Sequence, residues 1–181
     1  MNNFDANILS NLQILNDTIL TRIGLISDTH SYLHPDVFTH FKDCDEIWHA
    51  GDFGSLELLE ALQNFKPLRG VFGNIDGKEI RNIFPEELFF VCESVKVFMQ
   101  HIGGYPGKYA PGVKNKITAQ KPNIFISGHS HILKIMYDEK LQCLHMNPGA
   151  AGQQGWHTVK TLIRFTIDGE DIKDCEVVEM N

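Results

Sequence analysis

Asp28 and His30 stand in a Ser-Asp-Thr-His segment, Asp52 closes Ala-Gly-Asp, and Asn74 and Asp76 share Gly-Asn-Ile-Asp. Further along, His101 ends an apolar run, His129 and His131 fall in Gly-His-Ser-His, and Asn147 opens Asn-Pro-Gly. Each of these nine residues comes just after an apolar stretch that reads as a strand. Carboxylates, imidazoles and amide oxygens in this number meet the needs of a binuclear metal centre. The chemistry of such a centre is hydrolysis: two cations polarise an ester and lower the pKa of a bridging water from about 15.7 towards 7, which yields a hydroxide nucleophile. The C-terminal ends of strands are also where open α/β folds gather their site residues.

The spacing suggests how the donors pair. Residues two apart in extended chain share a face, so Asp28 and His30 can hold one ion together, and His129 and His131 repeat the pattern. Gly128 permits a tight backbone path between them and the preceding strand. Asp52 offers a carboxylate able to bridge two cations, and Asn74 a neutral amide oxygen. This mixture suits manganese, zinc, iron, nickel or cobalt better than calcium. No cysteine is among the candidates, which disfavours a purely structural zinc site. Taken singly, Asp-x-His, Gly-Asp and Gly-Asn-x-Asp are ordinary turn sequences. The argument rests on their conjunction and order. His49 lies inside a strand and reads as a hydrogen-bonded structural residue, and His34, His40 and His145 as surface or strand residues. Trp156 and His157 follow a glycine-rich segment and either line the cleft or, the commoner case, face solvent.

These residues need a scaffold of alternating elements. Strands are expected over Arg22 to Ser27, Glu46 to Ala50 and Leu68 to Phe72, with helices over Pro35 to Phe41 and Ser55 to Phe65 between them. Ser55 is a plausible N-cap, and Leu56, Leu59 and Leu62 give the second helix its apolar face. This β-α-β-α-β order implies parallel strands joined by right-handed crossovers. The second half reads as hairpins: Leu88 to Cys92 with Val95 to His101, Lys134 to Asp138 with Leu141 to Met146, and Leu162 to Ile167 with Asp171 to Val178. A helix over Lys114 to Gln120 precedes a strand over Ile124 to Ser127. Parallel units followed by hairpins predict two mixed sheets packed face to face, with helices outside. Ahead of them, Phe4, Ile8, Leu12, Leu15 and Ile19 form a helical stripe, so residues 1–21 are expected to be a helical extension docked on this domain or on a second subunit, and residues 22–181 the single domain.

Composition bounds the partners. The chain has 181 residues, is 43% hydrophobic and 22% charged, and carries a formal charge of −7. These are the proportions of a soluble domain with one substantial core. The acidic balance argues against nucleic acid and anionic membranes, although bound cations would reverse the sign locally. Cys44, Cys92, Cys143 and Cys175 are far apart and without a Cys-x-x-Cys pair, which points to reduced thiols and a cytoplasmic location. No apolar run reaches the roughly 20 residues of a membrane span.

The ordered set Asp-x-His, Gly-Asp, Gly-Asn-x-Asp, His, Gly-His-x-His resembles the calcineurin-like metallophosphoesterases, and within them the small single-domain YfcE-type phosphodiesterase branch, over approximately Arg22 to Val178. The resemblance implies a four-layered αββα sandwich and two divalent metal ions, with manganese favoured. By matching motifs, one ion would be held by Asp28, His30, Asp52 and His131, and the other by Asp52, Asn74, His101 and His129, with Asp52 bridging. Asn74, Asp76 and His101 count as catalytic residues, Asn74 by neutralising transition-state charge and Asp76 by orienting His30 or a water. The implied activity is hydrolysis of a small phosphate ester, with diesters favoured. The same fold serves in a retromer subunit as a protein-binding scaffold, which is the rival reading. Three departures stand out. Ile75 replaces a histidine that many members place beside the leaving group. His101 is followed by Ile102-Gly103-Gly104 and not directly by glycine, and Ala150 replaces a serine after Asn-Pro-Gly.

Overall fold

The computed structural model describes residues 20–180, so most of the expected N-terminal extension lies outside the described residues. Two five-stranded mixed sheets stack face to face. The first contains β1 (Thr21–Ile26), β2 (Glu46–His49), β3 (Leu68–Gly70), β11 (Lys160–Asp168) and β12 (Asp171–Met180), in the order β12-β11-β1-β2-β3. The second contains β4 (Glu87–Cys92), β5 (Val95–Gln100), β8 (Ile124–Ile126), β9 (Leu133–Asp138) and β10 (Cys143–Pro148), in the order β4-β5-β8-β10-β9. A small hairpin, β6 (Gly104–Tyr105) with β7 (Lys108–Tyr109), stands apart from both.

Each sheet has a parallel centre, β1-β2-β3 in one and β5-β8-β10 in the other. All three expected hairpins are antiparallel pairs. The strands of the parallel centres are short apolar runs because both of their faces are covered. Ile23, Leu25, Trp48, Val97, Met99, Ile126, Met146 and Phe165 fill the layer between the sheets. Outside the first sheet pack α1 (Asp36–His40), α2 (Leu56–Phe65) and α3 (Lys78–Ile83), which share a core with Ile26, Ile47 and Leu162. Outside the second lies α4 (Val113–Gln120), where Val113 and Ile117 meet Phe98 and Phe125. Helix, sheet, sheet, helix is the expected four-layer order. Each fully buried aliphatic or aromatic side chain contributes about 1.5–3 kcal/mol towards it.

Details differ from the sequence reading. The Ser55 hydroxyl accepts a hydrogen bond from Leu58 N at 3.3 Å, as an N-cap should. The inward face of α2, however, is Leu58, Leu59 and Leu62, while Leu56 in the first turn is only partly buried. Helix α3 and the β6–β7 hairpin were not expected. Both are too short to show a periodic pattern. No helix among the described residues is long and apolar enough to cross a membrane.

Candidate metal centre

The parallel strands of both sheets end at one rim. The loops leaving β1, β2, β3, β5 and β8 carry Asp28, Asp52, Asn74, His101 and the pair His129 and His131. These loops are stitched by backbone hydrogen bonds, from Asp28 N to Gly51 O, His30 N to Asp52 O and Gly128 N to His101 O, each 3.0 Å. Two groups of donor atoms result, Asp28 with His30 and His131, and Asp52 with His101 and His129. Within each group the atoms lie no more than 4.8 Å apart. Asp52 Oδ2 sits between the groups, 3.3 Å from His101 Nε2 and 3.6 Å from His30 Nε2. Asn74 Oδ1 is 3.1 Å from His101 Nε2, which adds the amide to the second group.

The route to this geometry is not the extended chain assumed from the sequence. Asp28, His30, Asp52, His129 and His131 all have left-handed backbone, with φ of 54°, 48°, 59°, 65° and 57°. Each such residue costs of order 1 kcal/mol, less for Asp and His than for branched residues, and strain of this kind collects at functional sites. The turn also separates His129 from His131, which join different groups. Glycines allow the loops to close in. A Cβ on Gly73 would collide with Asp52 Oδ1, and one on Gly128 would lie 2.9 Å from Asp28 Oδ2. At Gly128 the need is for space and not for an unusual φ.

Unsatisfied acceptors converge here. Asp28 is fully buried. Its Oδ2 accepts from Ser27 Oγ at 2.6 Å and His129 N at 3.1 Å. Its Oδ1 has no hydrogen-bond partner and faces His131 Nε2 at 3.2 Å. His101 Nδ1 donates to Ala50 O at 2.7 Å, so its Nε2 presents a lone pair to Asn74 and Asp52. A buried carboxylate oxygen without a donor, beside lone pairs aimed at one another, is an arrangement that divalent cations complete, and the residues fit such ions. Electrostatics agree. Burial works against the charged form of His101, but the carboxylates of Asp52 and Asp28 beside it outweigh that and raise its pKa. The Asp28 carboxylate, 3.2 Å from His131 Nε2, raises the pKa of His131. Burial tends to raise the pKa of Asp52, yet His101 and the Ile75 N–H hold it below the usual carboxylate range.

The remaining candidates have other tasks. Asp76 does not reach back to orient His30. Its carboxylate accepts from the backbone N–H of Asp52 (3.0 Å), Gly54 (2.9 Å) and Gly73 (2.7 Å), and so clamps two site loops to each other. Asn147 donates to Gly128 O and Ser130 Oγ and accepts from Gly149 N, bracing the loop of His129. His49 is buried, bonded to Thr29 and Gly51, and pushed down to about 3 by that burial. One neighbour, Arg81, was missed, and of the pair Trp156 and His157, expected more often to face solvent, one lies at the site. Arg81 on α3 donates to the carbonyls of Asp76, Gly73 and Asn74, and no motif marks it. His157 packs its ring 5.2 Å from that of His131, whereas Trp156 beside it is wholly exposed.

The family model for the calcineurin-like phosphoesterase superfamily domain matches residues 21–170. This chain belongs to the calcineurin-like phosphoesterases. Another sequence, a "Probable metallophosphoesterase" of Methanothermobacter thermautotrophicus, is 32% identical over 161 residues, 86% of this chain and 91% of that one. Among solved structures, "a Novel Archaeal Phosphodiesterase" superposes with TM-score 0.69 at 23% identity, over 88% of this chain and 99% of its own. Vacuolar Protein Sorting 29 from Cryptosporidium parvum gives TM-score 0.70 at 19% identity, over 89% and 97%. Both structural likenesses attest to the calcineurin-like fold.

Proposed function

We propose that this chain is a metal-dependent phosphohydrolase acting on phosphodiesters with two divalent ions, manganese first among them. The observation that carries the reading is Asp52 Oδ2 set between two donor groups, within 3.6 Å of a ring nitrogen from each. Asp28, His30, His131 and Asp52 would hold one ion, and Asp52, Asn74, His101 and His129 the other. When bound, the pair supplies Lewis-acid polarisation of the phosphoryl oxygens and activation of a water.

The chain's own residues do the rest. The hydrogen bond to Ala50 keeps the proton of His101 on Nδ1 and turns its Nε2 into the site. Such bonds behind a ligand fix ring orientation and tautomer. Asp76 and Arg81 hold the Asp52 and Asn74 loops, so the donors are pre-organised and little reorganisation remains at the moment of reaction. Asn74 adds a polar group where charge develops without adding negative charge of its own. The Ile75 side chain has no proton to give a departing alkoxide.

A scaffold reading, in the manner of the vacuolar sorting relative, has its own support in the exposed Ile132, Ile135, Met136 and Tyr137 around β9. The complete donor set favours turnover. The test is hydrolysis of bis(p-nitrophenyl) phosphate by chelator-treated protein with manganese, zinc, nickel or cobalt restored one at a time. Turnover that appears with metal and disappears in Asp52→Ala supports the proposal. Two-metal binding without turnover of any mono- or diester supports the scaffold.

A further inference from the structure

A second cleft of about 350 Å³ opens beside His129 and Asn147, and runs between the β6–β7 hairpin and the outer face of β9 and β10. Its walls carry two ammonium groups, Lys108 and Lys134, in a chain whose formal charge is −7. Register fixes the second of these. Lys134 on β9 lies directly opposite Asn147 on β10, and Asn147 is bonded to the loop that bears His129. Opposed residues in an antiparallel pair project to the same face, here the face that looks into the cleft. Lys134 Nζ rests 3.6 Å from the centre of the Tyr105 ring, which holds the long side chain in one place. Neither lysine joins an ion pair among the described residues. Asp138, the acidic residue of β9, spends its oxygens on Tyr109 and on the backbone of Lys140 and Leu141.

The inner wall of the cleft includes a histidine. His145 is 1% exposed and lines the same cavity. Ser127 Oγ donates to Gly104 O at 3.2 Å, so it accepts from His145 Nε2 at 3.1 Å. That leaves His145 Nδ1 as an acceptor, and it has no partner. Cationic walls and an aromatic side describe a site for an anionic group and not for an aliphatic one.

We infer that this cleft receives one arm of the substrate, and that this arm carries a second anionic group, a phosphate or a carboxylate, which pairs with Lys134. The inference rests on the phosphodiesterase reading for the first phosphate and adds the class of what is attached to it. A held, partly desolvated ammonium attracts an anion far more than one in bulk water does.

The test compares propane-1,3-diol bisphosphate with propyl phosphate as inhibitors of the metal-loaded enzyme acting on bis(p-nitrophenyl) phosphate. The bisphosphate should bind at least about tenfold tighter, since an ion pair of this kind is stronger than an exposed one. Lys134→Met should abolish that advantage and Lys134→Arg should keep it. A parallel measurement with 3-carboxypropyl phosphate tells a carboxylate terminus from a phosphate one, and tight binding of either supports the proposal. Equal inhibition by bisphosphate and monophosphate, or an advantage that survives in Lys134→Met, overturns it. If the protein hydrolyses no ester, the phosphodiesterase reading fails by itself. Acetylation of Lys134, followed by mass spectrometry, then decides the inference separately: shielding by the bisphosphate but not by propyl phosphate supports it, and equal labelling overturns it.

Discussion

The Nε2 atoms of His30 and His131 face each other across 3.3 Å, with the unpartnered Asp28 Oδ1 3.2 Å from the second of them. Two ring nitrogens so placed must share either a proton or a cation, because two lone pairs at that distance repel. Protein loaded with manganese should therefore be more stable than chelated protein. At a metal concentration a hundredfold above Kd the gain is about 2.7 kcal/mol. Elemental analysis should find two ions per chain, and Asp52→Ala, which removes the atom between the groups, should lose most metal and cut turnover at least about 10²-fold. An unchanged melting temperature in strong chelator would sink the metal-centre reading.

Asp76 supplies the second expectation. Three backbone N–H groups terminate on its carboxylate. Asp76→Ala strands them in a buried setting, at a cost of roughly 3 kcal/mol. It should also weaken metal binding about 10–100-fold, the usual effect of removing a group behind the ligands. Metal titrations on the folded fraction, monitored by calorimetry, separate the two effects. Full metal affinity in that fraction would show that the clamp serves stability alone.

Much of this is legible in the sequence, and the reasons are particular. The candidate ligands lie at strand exits, and strands with apolar runs, such as Thr21–Ile26 and Ile124–Ile126, are easy to see. Hairpins declare themselves by turn residues, as at Asp168 and Gly169. What escaped depends on backbone angles and on contacts distant in sequence. The left-handed conformations of Asp28 and His131 have no compositional mark, because Asp and His also fill ordinary turns. Arg81 finds its partners through α3, a helix of 6 residues. His157 approaches His131 only because the loop after Gly152 folds back, and its own hydrogen bond to Gly152 O holds it there. The stripe over Phe4 to Ile19 lies outside the described residues.

Acid stability should report on His145. Burial lowers its pKa from 6.5 to about 4. In that window the unfolded chain binds a proton that the folded chain refuses, so stability rises with pH and falls as pH drops from 6.5 towards 4. One fully buried group with this shift contributes about 3 kcal/mol to the loss. His145→Gln, which does not titrate, should lack the component. Subtracting its urea-unfolding free energies from those of the unmodified protein isolates it, since every other group is common to both. A difference that stays flat between pH 6.5 and 4 contradicts the assignment.

Ile75 makes the last expectation. Its side chain is 45% exposed beside Asn74, and its backbone N–H donates to Asp52 Oδ1 at 3.0 Å. The backbone half of the residue is thus engaged while the side chain has nothing to protonate a leaving oxygen. General acid assistance is worth about 10²–10⁴-fold, and its absence should appear as a steep dependence of rate on leaving-group pKa. Aryl diesters should turn over much faster than alkyl diesters in single-turnover experiments, where slow product release cannot hide the chemical step. Ile75→His leaves the backbone bond to Asp52 in place and should flatten that dependence, if the new ring reaches the substrate without displacing Asn74. A flat dependence in the unmodified enzyme, with chemistry rate-limiting, would mean that another group gives the proton. His157, held beside His131 with a buried Nδ1 that has no partner, is the residue to replace next. Steepening of the dependence in His157→Gln would identify it as that group.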